Sequence, residues 1–179
     1  MHRKNNLQKY EFFMKRIGVL SDTHGTVPSQ VYSFFENCDE IWHAGDMGAG
    51  VLDQLRTFKP VVGVYGNMDG YDVRFECPET VLFSREGKKI LMTHIGGYPG
   101  RYEATVRLVI QREKPDIFVC GHSHILKVMW DKDCNLLHIN PGAAGRQGFQ
   151  KVSTLVRFTL DPDPKDLEIL EFDKFPKNI

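Results

Sequence analysis

The sequence predicts an α/β fold in which two stacked, mixed β-sheets are flanked by helices, a four-layer α/β/β/α sandwich. In the first half of the chain, short apolar runs alternate with amphipathic segments of helical period. In the second half, several runs alternate polar and apolar residues, as half-buried antiparallel strands do. The length of 179 residues suits one compact domain.

Strand–loop–helix units make up the first half and predict parallel strands with helices packed on them. The predicted strands of this half are Ile17–Ser21, Asp39–His43 and Val61–Tyr65. Apolar residues at helical spacing predict one helix after Pro28 and a second over Val51–Phe58.

The second half begins with a predicted hairpin, in which Thr80–Arg85 and Lys88–Thr93 flank Glu86-Gly87. One more helix is expected over roughly Arg101–Lys114, ended by Pro115. The remaining predicted strands are Ile117–Cys120, Leu126–Trp130, Leu136–Ile139, Lys151–Leu160 and Leu167–Phe172. We interpret residues 1–13 as an N-terminal extension and residues 14–179 as the domain.

Composition narrows the function classes. Lysine plus arginine equals aspartate plus glutamate at 23 each, so no overall basic field favours nucleic acid as a partner. The four cysteines form no CxxC pair, which indicates a reducing compartment rather than a disulfide framework. No apolar stretch is long enough to span a bilayer, and no secretory signal is evident. These observations predict a cytoplasmic protein with no membrane association.

Five predicted strands end in residues that commonly bind metals. The five motifs are Asp22-x-His24, Gly45-Asp46, Gly66-Asn67, Thr93-His94 and Gly121-His122-x-His124. Each motif alone is common, and Gly-Asp or Gly-Asn is usually an ordinary turn. Their order, each after an apolar strand, favours a shared site, because α/β sheets place their sites beyond the carboxyl ends of strands.

The chemistry of these side chains limits the metal. Imidazole, carboxylate and amide oxygen together suit manganese, iron, zinc, cobalt or nickel, and the lack of thiolate argues against structural zinc. Seven ligands are too many for one catalytic ion with open positions, but they suit two ions that share a carboxylate. Two divalent ions with two carboxylates leave a positive surplus that favours a phosphate ester and an attacking hydroxide.

The ordered motifs resemble the signature of the calcineurin-like metallophosphoesterases. The opening MKRIGVLSDTHG and the Asn140-Pro141-Gly142 loop are similar to the compact bacterial and archaeal YfcE-type phosphodiesterases, and the resemblance covers about residues 14–172. It implies that one ion is held by Asp22, His24, Asp46 and His124. It implies that the other is held by Asp46, Asn67, His94 and His122, with Asp46 bridging.

The resemblance also implies a mechanism, in which a metal-bridging hydroxide attacks phosphorus in line. The expected cofactor is a pair of divalent ions, with Mn²⁺ first and iron, zinc, nickel, cobalt or magnesium as alternatives. Many members carry a histidine after the Gly-Asn pair that is thought to protonate the leaving group, whereas this chain has Met68. Asp69 is expected to orient a ligand histidine, either His94 or His24, and His43 to support the site or the core.

Three functions remain open from the sequence. The first is hydrolysis of small phosphodiesters or nucleotides, and the second is hydrolysis of phosphomonoesters. The third is a non-catalytic protein-interaction scaffold of the retromer-subunit type, which the retention of all seven ligand residues disfavours. The compact relatives are often dimers or tetramers, which implies a homodimer or homotetramer here.

Overall fold

The computed structural model describes residues 14–175, and the predicted extension, residues 1–13, lies outside the described residues. The strands of the described chain are β1 (Lys15–Leu20), β2 (Glu40–His43), β3 (Val61–Gly63), β4 (Thr80–Arg85), β5 (Lys88–Thr93), β6 (Gly97–Tyr98), β7 (Arg101–Tyr102), β8 (Ile117–Val119), β9 (Leu126–Asp131), β10 (Leu136–Pro141), β11 (Val152–Asp161) and β12 (Asp163–Asp173). Its helices are α1 (Ser29–Phe34), α2 (Val51–Phe58), α3 (Tyr71–Glu76) and α4 (Ala104–Glu113).

Two five-stranded mixed sheets form the centre of the molecule. The first has the order β12-β11-β1-β2-β3, and the second has the order β4-β5-β8-β10-β9. Each sheet contains three neighbouring parallel strands. These are β1, β2 and β3 in the first sheet, and β5, β8 and β10 in the second. The outer strands pair antiparallel. The predicted fold class is confirmed.

Three apolar clusters define the four layers. Ile17, Trp42 and Phe158 from the first sheet meet Ile90 and Ile117 from the second in a buried core between the sheets. A second cluster packs α1 and α2 onto the outer face of the first sheet, and a third packs α4 onto the second. Strand side chains alternate between faces, so each buried strand serves an inner and an outer core at once.

Close packing of α1 depends on one glycine. A Cβ atom at Gly18 of β1 would lie 2.7 Å from the ring of Phe35, which follows α1 and is fully buried. Because glycine has no side chain, the ring lies directly against the strand backbone. This contact fixes the helix beside the loop that follows β1.

The structure differs from the sequence prediction in three places. Helix α4 begins at Ala104 rather than at Arg101, because Arg101–Tyr102 pairs with Gly97–Tyr98 as a small hairpin. Helix α3 was not predicted, and β3 ends at Gly63, two residues earlier than expected. No described helix is long and apolar enough to cross a membrane.

Candidate metal centre

All seven predicted ligand residues lie on loops that follow β1, β2, β3, β5 and β8. Backbone hydrogen bonds tie these loops together. The N–H groups of Asp22 and His24 donate to the carbonyls of Gly45 and Asp46, each at 3.0 Å, which joins the first two motifs. The N–H of Gly121 donates to the carbonyl of His94 at 3.0 Å, which joins the last two.

Five of the seven residues have a left-handed backbone conformation. The φ angles are 55° at Asp22, 48° at His24, 52° at Asp46, 67° at His122 and 57° at His124. Residues other than glycine rarely adopt this region, at a cost of about 1–3 kcal/mol each, and such strain concentrates at functional sites. The fold therefore stabilises an unfavourable backbone in order to direct these side chains.

Asp22, His24 and His124 form the first potential metal-binding group, with ligand atoms within 4.8 Å of one another. Nε2 of His124 lies 3.2 Å from Oδ1 of Asp22 and 3.4 Å from Nε2 of His24. Asp22 is fully buried, whereas both histidines are partly exposed. Burial lowers the pKa of His24 despite the nearby carboxylates of Asp22 and Asp46, so a neutral, metal-binding imidazole is favoured.

Asp22, Asp46 and His94 form the second group, and all three are buried. Nε2 of His94 lies 3.2 Å from Oδ2 of Asp46 and 3.9 Å from Oδ1 of Asp22. Burial raises the pKa of Asp46, but contact with His94 and the N–H of Met68 outweigh it, so the pKa is lowered. Asp22 thus belongs to both groups, whereas the resemblance implies that Asp46 is shared.

Asn67 and His122 complete the predicted set at its open side, and both are exposed. The ring centre of His122 lies 5.3 Å from that of His94, edge to face. Asn67 lines a cavity of about 390 Å³ together with His94. The Asn67 loop packs closely against Asp46 because residue 66 is a glycine. A Cβ atom at this position would collide with the Asp46 carboxylate.

Asp69 supports the site by joining two of its loops. Asp69 does not orient His94 or His24 as expected: its oxygens accept the N–H groups of Gly48 and Gly66, at 2.8 and 2.7 Å. Both oxygens are thereby occupied, and Asp69 joins the loops that carry Asp46 and Asn67. The acceptor that orients His94 is a backbone carbonyl and not Asp69.

That carbonyl is Ala44, whose oxygen lies 2.7 Å from Nδ1 of His94. Because a carbonyl only accepts, Nδ1 carries a proton, which leaves Nε2 as the nitrogen that a metal would bind. Burial lowers the pKa of His94, but contact with Asp46 and the charge of Asp22 outweigh it, so the pKa is raised.

His43 is buried in the core and supports the site, which is one of the two roles expected of it. Its Nδ1 accepts the N–H of Gly45 at 3.2 Å, and its Nε2 lies 2.9 Å from the hydroxyl of Thr23. That hydroxyl donates to the carbonyl of Met47, so Nε2 of His43 must be the protonated nitrogen. Burial lowers the pKa of His43 to about 4, which keeps the ring neutral.

A further segment at the centre, residues 142–150, carries no metal-binding motif that would have indicated its role. The N–H of Gly145 donates to the carbonyl of Asp22 at 3.0 Å, and a Cβ atom at Gly148 would collide with Nδ1 of His124. The same Cβ would lie 2.9 Å from Oε1 of Gln150, which is buried without a hydrogen-bond partner in the described chain. The segment is held by the buried Lys174, whose Nζ donates to the carbonyl of Gln147 at 2.5 Å.

Comparison with known sequences agrees with this arrangement. The model of the calcineurin-like phosphoesterase superfamily domain matches residues 14–163. A probable metallophosphoesterase from Methanothermobacter thermautotrophicus is 31% identical over 160 residues, which cover 86% of this chain and 91% of that protein.

Solved structures share the fold at lower identity. One, described as a novel archaeal phosphodiesterase, has a TM-score of 0.70 at 21% identity and covers 88% of this chain and 99% of that one. Vacuolar Protein Sorting 29 from Cryptosporidium parvum has a TM-score of 0.68 at 20% identity and covers 90% of this chain and 100% of that one. At these identities the likeness extends to the fold alone.

Proposed function

The chain belongs to the calcineurin-like phosphoesterase superfamily, and from this premise we propose that it is a phosphodiesterase that works with two divalent metal ions. The observation that carries the proposal is the pair of carboxylate–histidine groups that share Asp22. A relative from Methanocaldococcus jannaschii that is 24% identical over 144 residues is named a phosphodiesterase, which supports the same activity here.

The residues fit a metal centre. Oδ1 of Asp22 and Nε2 of His94 are buried and have no hydrogen-bond partner in the described chain. Unpaired buried polar atoms are costly, and two buried carboxylates repel each other unless a cation lies between them. Bound divalent ions would remove both costs. Imidazole and carboxylate ligands suit several first-row metals, manganese among them, and metal availability decides between them as much as ligand type.

We assign one ion to Asp22, His24, Asp46 and His124, and the other to Asp46, Asn67, His94 and His122. When bound, such a pair supplies a strongly nucleophilic water-derived oxygen and neutralises charge on the phosphoryl group. The buried side chains fix the ions, whereas the exposed Asn67 and His122 lie where a substrate phosphate can approach.

A diester is favoured over a monoester by the charges beside the centre. A monoester dianion needs additional cationic groups, and the basic side chain on the adjoining cavity is Arg74. Its guanidinium already donates to the backbone carbonyls of Asp69, Gly66 and Asn67, at 2.8, 3.2 and 3.2 Å. Arg74 therefore stabilises the Asn67 loop rather than a second phosphate charge.

The proposal is tested by metal analysis and hydrolysis of bis(4-nitrophenyl) phosphate by the manganese-loaded full chain. We expect two ions per chain and faster turnover of the diester than of 4-nitrophenyl phosphate. Asp46→Asn should lower kcat/KM by more than about 100-fold. Loss of a group that only orients a ligand costs up to about 100-fold, and loss of a ligand should cost more. The exposed Asp53→Asn on α2 has the same charge change and should retain activity. One ion per chain, or an active Asp46→Asn variant, would contradict the proposal.

A further inference from the structure

We propose that the cavity beside the metal centre binds an ester arm that carries a positively charged amine, so that the substrates are phosphodiesters of amino alcohols. This inference rests on the proposed phosphodiesterase function and adds a substrate class to it. The cavity measures about 390 Å³, within the usual range for small-molecule sites.

The cavity is continuous with the centre. Asn67 and His94 form part of its wall. His94 is 2% exposed, and its Nε2 is directed at the metal centre, 3.2 Å from Oδ2 of Asp46, so this residue of the cavity wall joins the cavity to the centre. A phosphodiester has two ester arms, and a substrate phosphate at the centre has this cavity as the neighbouring space for one of them.

The charge of the lining favours a cation. Two carboxylates, Glu79 and Glu103, line the cavity with a single guanidinium, that of Arg74. The guanidinium is committed to three backbone carbonyls and lies 4.4 Å over the ring of Tyr65. The net charge of the lining is therefore negative, and its cation is already paired with acceptors.

The carboxylates retain free acceptor atoms. The Glu79 carboxylate accepts one side-chain hydrogen bond, from the Tyr65 hydroxyl at 3.1 Å, and the Glu103 carboxylate makes no hydrogen bond or ion pair within the described residues. Thr80 and Thr105 add hydroxyl groups to the same lining. A negatively charged arm would be repelled here, and an apolar arm would gain nothing from the charge of the two exposed carboxylates. An ammonium group satisfies them.

A matched pair of ligands tests the charge preference. Methyl 2-(trimethylammonio)ethyl phosphate and methyl 3,3-dimethylbutyl phosphate have the same shape and differ by one nitrogen in place of carbon. Calorimetry on the manganese-loaded full chain should give a Kd about three- to tenfold lower for the cationic ester, the range expected of two exposed ion pairs. The difference should shrink as salt is added, since exposed charges are screened.

Variants assign the preference to the cavity. Glu79→Gln and Glu103→Gln should each reduce the ratio of the two dissociation constants, and together they should bring it to about one. Glu171→Gln is a matched control. Glu171 is exposed on β12, and its substitution removes the same charge outside the cavity.

The outcomes separate this inference from the function on which it rests. Equal binding of the two esters, no binding of either, or a preference that survives both glutamine substitutions would overturn the cavity assignment. Hydrolysis of bis(4-nitrophenyl) phosphate by the same preparation is read independently. If that diester is not cleaved while the cationic preference holds, the phosphodiesterase proposal fails and the binding site stands.

Discussion

Met68 occupies the position at which many superfamily members carry a histidine, and its role can be divided between backbone and side chain. Its N–H donates to Oδ1 of Asp46 at 2.8 Å, which helps fix that carboxylate. Its side chain is 67% exposed and cannot donate a proton. The backbone function survives any substitution, so the side chain can be changed alone.

Met68→His should accelerate hydrolysis of diesters with poor leaving groups by up to about 10²–10⁴-fold, the usual contribution of a general acid. Aryl diesters should gain little, because their leaving groups depart as stable anions. The measurement is a rate series across leaving groups of different pKa for both proteins, with Met68→Gln as a polar control that cannot act as an acid. A flat dependence in the natural protein would mean that another group already donates the proton.

His138 on β10 is the clearest source of pH-dependent stability. It is fully buried, its ring centre lies 5.7 Å from that of Phe118 and 5.9 Å from that of Tyr102, and neither ring nitrogen has a hydrogen-bond partner in the described chain. Its pKa is lowered to about 4, mainly by burial and to a smaller extent by the charge of Lys127, while the charge of Asp131 opposes the change. His138 is therefore a core residue.

The sign of the pH effect follows from this lowered pKa. The unfolded chain takes up the proton near pH 6.5 and the folded chain near pH 4, so the stabilising contribution is complete above pH 6.5 and is lost as pH falls towards 4. Relative to His138→Phe, the natural protein should lose at most about 3 kcal/mol over that window. Urea unfolding of both metal-free proteins at pH 7, 5.5 and 4.5 measures the difference, and parallel pH curves would contradict it.

At the scale of elements, residues 142–150 act as a support for the first metal-binding group. Ligand histidines commonly donate their second N–H to an oxygen acceptor, as His94 does to Ala44. His124 has Nε2 at the centre, and its Nδ1 and the unpaired Oε1 of Gln150 flank the same small space at Gly148. The two atoms are not hydrogen-bonded in the described chain, and we expect Gln150 to accept the second N–H of His124 once a metal binds Nε2.

Gln150→Leu should weaken metal binding by about 10–100-fold, because the histidine loses the acceptor that orients it. Gln147→Leu is the matched control, since its side chain is exposed and only its backbone carbonyl is used, by Lys174. Chelator competition monitored by metal content gives the affinity. Equal affinities for the two variants would show that Gln150 fills space only.

Element by element, the longer strands were predictable and the short pieces were not. β11 spans ten residues, most of them buried, and β-branched or apolar residues recur along its whole length. Helix α3 has six residues and buries only Val73, too little to produce a helical period. The hairpin of Gly97–Tyr98 and Arg101–Tyr102 is shorter still, and its sequence continues into the pattern of α4.

At the scale of the whole molecule, the sequence predicts candidate ligand residues but not their support. Order along the chain shows which strand ends carry Asp22, Asp46 and His94. Their meeting depends on which strands are neighbours and on how the two sheets stack. Lys174 and Gln150 act through contacts more than 20 residues away in sequence, between segments without any recognisable motif. Such long-range contacts leave no local pattern to interpret.

The domain boundary yields the final prediction: a chain that begins at Met14 should fold and have the same hydrolytic activity as the full chain. The family match begins at residue 14, and β1 starts at Lys15 as an interior strand between β11 and β2. Melting temperature and kcat/KM should agree with those of the full chain, whereas a chain that begins at Gly18 should unfold, because it lacks the buried Ile17 and half the β1 ladder. Loss of stability or activity in the first truncation would place residues 1–13 within the domain, since the central strand itself is left complete.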